Sequence, residues 1–426
     1  MAESRHAPGN TSTVRADVAV IGGGIIGLGI AHEARRQGRS VALIDPAPAS
    51  GATFAAAGML APVSELHYQE EDLLELMLES SRLWPAFVGG LPRAGEGTGY
   101  CTTPTLAVGA DAADRRALAD LRLVQLAAGL DVEPLALRAA REREPLLSPQ
   151  ISCAFDIPAD HQVDPRKLAN CLLAGLAAHS PGDDTWVAGA DHGFAVADSA
   201  RGVLWNGNRV CGVELEAGGT VLAGETVVAN GLGAAHLLGL PEGTGLPVRP
   251  VYGDILRLRV PAHLQPLLTA TVRGMVRGVP VYIVPRDDGT VVIGATQRED
   301  ALSATSNAVS AGGVYQLLRD AQVLVPTVAE LELLEATARA RPGTPDNAPL
   351  LGRVADSRGD IAGLVIATGF FRHGVLLTPV AARIVCELIS GSSDSRWSRF
   401  RPDRFATNFP EPHTTTPAAA PSKESV

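Results

Sequence analysis

The chain has 426 residues, enough for two domains and a large core, and its 46% hydrophobic, 19% charged composition excludes a disordered chain. Its 46 acidic residues outnumber 36 basic ones for a formal net charge of -10, and no lysine-rich run offers a footprint for nucleic acid or an anionic membrane. No apolar run approaches the ~20 residues that span a bilayer.

In chain order, Met1 to Thr13 is polar and reads as a loose tail rather than a signal peptide. A strand follows, with the apolar run Val18 to Ile21, and then Gly22, Gly24 and Gly27 in GxGxxG spacing. A helix runs to Gly38, and a second strand, Val41 to Ile44, ends at Asp45. This is the order of a dinucleotide-binding βαβ unit. The glycines allow a tight turn, approach of the backbone to a pyrophosphate, and close helix–strand packing. The helix N-terminus offers N–H groups to phosphate. Asp45 is placed to accept from a ribose diol and would repel a 2′-phosphate, so the pattern predicts FAD or NAD.

Small residues follow: Ala55, Ala56, Ala57, Gly58, Met59 and Leu60 suit close approach to a flat ligand, or else an alanine-rich helix start. An amphipathic helix is predicted over Glu70 to Phe87, with Leu73, Leu74, Met77, Leu78 and Trp84 near one stripe. A short strand at Leu106 to Val108 and helices over Ala112 to Ala128 and Val132 to Arg143 come next. Asp156 to Asp164 reads as a loop, with Asp164 as N-cap of a helix over Arg166 to Ala178. His161 reads as structural rather than catalytic.

From Val187 to Val228 the pattern turns to strands, and Val227 to Ala229 runs into Asn230, Gly231, Leu232 and Gly233, a second place where backbone can approach a cofactor. Strands are then predicted at Val251 to Leu258, Val279 to Val284 and Thr290 to Ala295, with Asp287, Asp288 and Gly289 turning the last hairpin. Helices are expected over Val314 to Leu324 and Val328 to Leu334, then a strand at Ile361 to Thr368 and a helix at Thr378 to Ser390. The tail from Arg401 reads as disordered.

Three polar residues stand beside glycines or prolines in apolar surroundings: Tyr282, Arg341 and Arg372. The arginines either pair with surface carboxylates or form a clamp for a substrate carboxylate, with the tyrosine adding a hydrogen bond. The segment Gly374 to Leu377, before the last helix, presents N–H groups that suit the negative edge of a reduced flavin, or simply start that helix. No metal cluster, P-loop or nucleophile–histidine–acid pattern is visible. Cys101, Cys153, Cys171, Cys211 and Cys386 lack CxxC spacing, which predicts reduced thiols and a cytoplasmic protein. A dinucleotide site without an obvious base fits flavin chemistry, in which the cofactor takes a hydride from an unprotonated amine.

The motifs Val20 to Gly27 (VIGGGIIG), Ala55 to Leu60 (AAAGML), Tyr282 to Arg286 (YIVPR), Ile293 to Thr296 (IGAT), Arg341 to Thr344 (RPGT) and Thr368 to Pro379 (TGFFRHGVLLTP) together carry a resemblance. From about Ala16 to Leu388 the chain resembles the glycine oxidase branch of the FAD-dependent D-amino-acid oxidase superfamily, the oxidases of thiazole synthesis.

The resemblance implies an α/β fold with a discontinuous Rossmann-like FAD-binding domain and an antiparallel-sheet substrate domain. Residues 15–95, 156–240 and 342–400 would form the first, 96–155 and 241–341 the second, with tails at 1–14 and 401–426. By the same resemblance Arg372 would bind the substrate carboxylate, Tyr282 would hydrogen-bond it, and Arg341 would be a second arginine nearby. Gly22, Gly24, Ile25, Ile26, Gly27 and Asp45 would hold the ADP half of a non-covalent FAD. Ala57, Gly58, Met59 and Leu60 would lie by the isoalloxazine, His373, Gly374, Val375 and Leu376 at its pyrimidine edge, and Val203 at the adenine. Covalent flavin attachment is not expected, since Cys386 falls mid-helix.

The implied reaction oxidises glycine, or small amines and D-amino acids, to an imine. Molecular oxygen accepts the electrons and leaves as hydrogen peroxide, with a role in thiamine biosynthesis. The implied assembly is a homo-oligomer, commonly a tetramer, with no nucleic acid or membrane partner. The alternative is a D-amino-acid or D-proline dehydrogenase using another acceptor. The chain departs from the family pattern at Phe370, His373, the segment Ala338–Arg339–Ala340 before Arg341, and Gln297, where methionine is common. Gln297 and His373 point to a somewhat larger or more polar substrate.

Overall fold

The structure, a computed structural model, describes residues 13–406 except 68–69, 93–96, 179–193, 242–243 and 300–306. The tails expected at the two ends lie largely outside the described residues, as does the start of the strand-rich stretch from Val187.

Two eight-stranded sheets organise the chain. The first is parallel at its centre. Thr13–Ile21 lies between Val41–Ile44 and Thr220–Val228, and Leu364–Thr368 extends it, all in parallel register. Ala195–Val196 adds to one edge and antiparallel Leu350–Gly352 to the other. The strands Ala200–Asn206 and Arg209–Leu215 branch from Thr220–Val228 as an antiparallel ribbon. Val18, Val20, Val41 and Leu43 are fully or almost fully buried, as strands covered on both faces must be. The helices Ile25–Arg36, Glu71–Gly89, Pro165–Ala178 and Thr378–Ile389 share one core with this sheet.

The second sheet runs Glu332–Gly343, Arg249–Arg259, Thr290–Gly294, Val279–Pro285, Val272–Val276, Thr105–Gly109, Cys153–Ile157, Glu133–Leu135. Every neighbour is antiparallel except Val272–Val276 on Thr105–Gly109. Helix Ala311–Leu324 covers one face so closely that Leu324 Cδ1 lies 2.0 Å from where a Cβ on Gly274 would stand. A small apolar cluster of Ala55, Ala57, Ile255, Val284 and Val292 ties the second sheet to the Ala52–Ala57 segment of the first region. The two regions therefore meet along the small-residue motif.

Most elements form where the apolar pattern places them, including the Asp164 cap, whose carboxylate accepts from the Arg166 and Lys167 N–H groups at 2.9 and 3.2 Å. Four do not. Val132 to Arg143 is a strand, Glu133–Leu135, followed by a shorter helix, Leu137–Arg143, because Pro134 cannot donate within a helix while Cys153–Ile157 offers an edge to pair with. Asp156 to Asp164 is not all loop, since Cys153–Ile157 and His161–Gln162 are strands. Val328 to Leu334 is a short turn, Pro326–Glu330, leading into the long edge strand Glu332–Gly343. Eleven paired positions with Arg249–Arg259 override the helix-like spacing of its leucines. The tail expected from Arg401 begins with a structured turn, Pro402–Phe405, pinned where Arg404 Nε donates to Asp346 Oδ2 at 2.9 Å.

Candidate active site

A cleft of 530 Å³ opens where the C-terminal ends of the parallel strands face the second sheet. This is where a doubly wound sheet binds its ligand. One end is made of backbone. Gly22 (φ 102°) turns the chain, and a Cβ there would stand 2.5 Å from Asn230 Cα. Gly24 faces open space, with only Thr53 Oγ1 within reach at 3.7 Å, so any side chain would fall into the cleft. The Asp45 carboxylate is held by the N–H groups of Gly23 (2.6 Å) and Ala47 (2.7 Å), and its remaining lone pairs can accept from a diol. Ala229 to Gly233 form the opposite lip.

Ala55 to Met59 line the middle. Carbonyls of this wall are held from behind: Arg166 Nε donates to Phe54 O at 2.9 Å, Arg257 Nη2 to Phe54 O and Ala56 O at 3.3 and 3.4 Å, and Arg286 to Ala57 O. Across from them, Phe370 to Leu376 lead into the last helix. Leu376 O accepts from Ser80 Oγ at 2.6 Å and Trp84 Nε1 at 2.9 Å, so two buried donors on helix Glu71–Gly89 fix this segment.

The far end is built from charged side chains. Tyr282 stands on strand Val279–Pro285, Arg273 beside it on Val272–Val276, and Arg341 on the edge strand. Gly294 and Gly253 leave room for them: Tyr282 Oη and the Arg341 guanidinium each reach within 2.3 Å of where a Cβ on those glycines would stand. Burial raises the Tyr282 phenol above its ordinary range, against the opposing effect of Arg341, so it remains a donor. Arg372 Nε donates to Glu65 Oε2 at 2.8 Å, and its Nη2 to Glu70. Arg273 pairs with the same Glu65. Burial alone would raise the Glu65 carboxyl, but Arg273 and Arg372 hold it far below the usual carboxylate range. Burial, reinforced by Arg372, brings His373 down to about 3, so its imidazole is neutral. Arg341 has no carboxylate partner among the described residues.

The expected site residues are thus brought to one cleft with three exceptions. Gly27 does not line it, and instead packs the helix on the turn: a Cβ there would meet Gly22 O at 1.9 Å. Leu60 is 1% exposed and faces the core. Val203 is set apart in the antiparallel ribbon, with its N–H donating to Leu238 O at 2.9 Å. Arg273, Glu65 and Glu70 were not singled out by sequence reasoning. Arg273 carries a signal, since it is the one charged residue in Val272–Val276, whereas the glutamates sit in an acidic stretch resembling a helix start.

The cleft fits a flavin dinucleotide. Besides the open face of Gly24, two polar atoms buried in its wall, His373 Nε2 and Asn230 Oδ1, lack hydrogen-bond partners and are available to one. No cysteine lines it among the described residues, and burial raises the Cys386 thiol to about 12 within its helix. Fold and site define a dinucleotide-binding α/β protein with an arginine-rich pocket at the reacting end.

The chain belongs to the FAD dependent oxidoreductase family called DAO, whose model matches residues 17–388. It is 33% identical to a glycine oxidase of Geobacillus kaustophilus over 380 residues, covering 88% of this chain and 93% of that one. It is 30% identical to the bifunctional protein ThiO/ThiG of Trichormus variabilis over 91% of its own length, but spans only 55% of that relative. The crystal structure of the Geobacillus kaustophilus glycine oxidase superposes with a TM-score of 0.77 at 30% identity, covering 92% of this chain and 99% of that one. That of iminodiacetate oxidase from Chelativorans sp. BNC1 gives 0.76 at 25% identity, covering 90% and 98%. No described helix is long and apolar enough to cross a membrane.

Proposed function

We propose that this protein is an FAD-dependent amine oxidase acting on glycine or a similarly small amino acid. The observation that carries this reading is the pairing of a guanidinium without a carboxylate partner among the described residues, Arg341, with a partly buried phenol, Tyr282, at the end of a dinucleotide cleft. The first region would serve as FAD-binding domain and the second sheet as substrate domain. Gly22, Gly24, Ile25, Ile26 and Asp45 would hold the ADP half, Ala57 to Met59 and His373 to Leu376 the ring. Bound FAD supplies the hydride acceptor.

The residues position the substrate. A bidentate hydrogen bond from Arg341 fixes a carboxylate, and Tyr282 donates a second contact. Arg372, expected to bind the carboxylate, is better assigned as support, because Glu65 and Glu70 already occupy its guanidinium. Neutral His373 adds no positive charge next to the amine. Gln297 lines the pocket and favours a more polar side chain than methionine would. Oxygen as acceptor, peroxide as product, a cytoplasmic homo-oligomer and a place in thiazole synthesis are the finer parts of the proposal.

The test is anaerobic reduction of the yellow protein by glycine, sarcosine, D-alanine and D-proline, followed by peroxide assay in air. Bleaching by glycine with stoichiometric peroxide supports the proposal. Bleaching only by D-proline or D-alanine without peroxide moves the protein to a dehydrogenase, and no bleaching by any of them overturns both.

A further inference from the structure

Arg273 and Arg372 reach the cleft from opposite walls, one from the second sheet and one from the segment before the last helix. Between them stands the Glu65 carboxylate, in ion pairs with both, while Arg372 also pairs with Glu70. The side chains of Arg273, Glu65 and Arg372 are 16%, 12% and 19% exposed, so the cluster is mostly desolvated but still fronts the pocket. Two guanidiniums converging on one carboxylate have the form of an anion site whose occupant belongs to the chain itself.

That occupant is fixed. The buried Asp160 carboxylate accepts from the Val63 and Ser64 N–H groups, both at 2.9 Å, and Gln125 Nε2 donates to Val63 O at 3.0 Å. The neighbouring Leu66 is 2% exposed. The backbone that carries Glu65 is therefore held in place, and its carboxylate is tied by the two arginines. Arg341 is left as the one guanidinium of the three without a carboxylate. A substrate with one acid group finds a partner there. A second acid group directed at Arg273 and Arg372 meets Glu65, and like-charge contact in a desolvated pocket is strongly unfavourable.

We propose that Glu65 is a built-in anion that fills a second carboxylate subsite formed by Arg273 and Arg372, restricting the pocket to amino acids with a single acid group. Replacing that charge frees Arg273 and the Nε edge of Arg372, whose Nη2 stays on Glu70, and so admits the second acid group of a diacid. The inference rests on the amino-acid-oxidase reading and adds Glu65 and Arg273 as specificity-determining residues.

The experiment titrates FAD-loaded protein with acetate and with succinate or malonate, following the visible flavin spectrum, and compares oxidation of glycine and iminodiacetate. The native protein is expected to bind acetate at least about tenfold more tightly than either diacid. In Glu65→Gln the affinity ratio of diacid to acetate rises about tenfold or more, and in Glu65→Gln/Arg273→Leu it falls back to within about threefold of the native ratio. Native protein that binds diacids as well as acetate, an unchanged ratio in Glu65→Gln, or a gain that survives loss of Arg273 would each overturn the inference. If Glu65→Gln yields no flavin-loaded protein, Arg273→Leu carries the test. It keeps Glu65 but removes a positive charge, so acetate should weaken about tenfold, and unchanged acetate affinity would overturn the role of Arg273. Acetate that leaves the native flavin unperturbed would instead remove the carboxylate-pocket reading itself.

Discussion

The two ends of the cleft are built by different means. The dinucleotide end is backbone: Gly22, Gly24, the start of helix Ile25–Arg36 and one acid, Asp45, almost all from one continuous stretch. The amino-acid end is charge: Arg273, Tyr282, Arg341, Arg372 and Glu65 come from five separate segments, and most are neutralised by one another. Backbone recognition tolerates little change in shape. Charge recognition depends instead on which guanidinium is left over, and that cannot be counted until the partners are known.

The largest expected effect is at the rigid end. Gly27→Ala would drive a methyl against Gly22 O, so the protein should purify colourless or fail to accumulate, and full visible flavin absorbance would contradict this packing role. At the charged end, Arg341→Ala removes a cation that has no carboxylate partner among the described residues. Losing one partner of a desolvated charged pair costs ~2–5 kcal/mol. That corresponds to roughly 30- to 4,000-fold in kcat/KM for glycine.

Arg372→Ala should be milder in substrate affinity than Arg341→Ala, and equal losses in KM would erase the distinction between anchor and support. Tyr282→Phe removes a single neutral hydrogen bond, worth about 1 kcal/mol, and should cost about fivefold in glycine kcat/KM.

The smallest effect concerns pH. His373 titrates near 3 in the folded chain and near 6.5 as a free side chain, so the unfolded state binds its proton first. Its contribution to stability is therefore complete above about pH 6.5 and is lost as pH falls towards 3. Asp160, raised by burial from 3.8 to about 6, acts with the opposite sign between those values, so the native melting curve alone mixes the two. His373→Asn should show a smaller drop in Tm from pH 7 to pH 5 than the native protein, by differential scanning fluorimetry.

The contrast also explains what could be read in the sequence. The glycines at 22, 24 and 27 and Asp45 declare their unit because strand, turn, helix and strand follow one another along the chain. The wall segments Ala55 to Met59 and Phe370 to Leu376 were legible as motifs. The roles of Arg341 and Arg372 were not, because Glu65 and Glu70 lie some three hundred residues away from Arg372 and nothing local marks them as its partners. Glu332–Gly343 shows the same limit in the fold, since the pairing that makes it a strand belongs to Arg249–Arg259. Val203 is the reverse case: the resemblance placed it at the adenine, but its backbone serves Leu238.

The most direct measurement is the rate at which glycine bleaches the bound flavin without oxygen, in native protein, Arg341→Ala and Arg372→Ala. Rapid bleaching of the native protein is predicted, with apparent glycine affinity falling furthest in Arg341→Ala. Native flavin that stays oxidised with glycine, or an Arg341→Ala protein that binds glycine as well as the native one, would contradict the assignment.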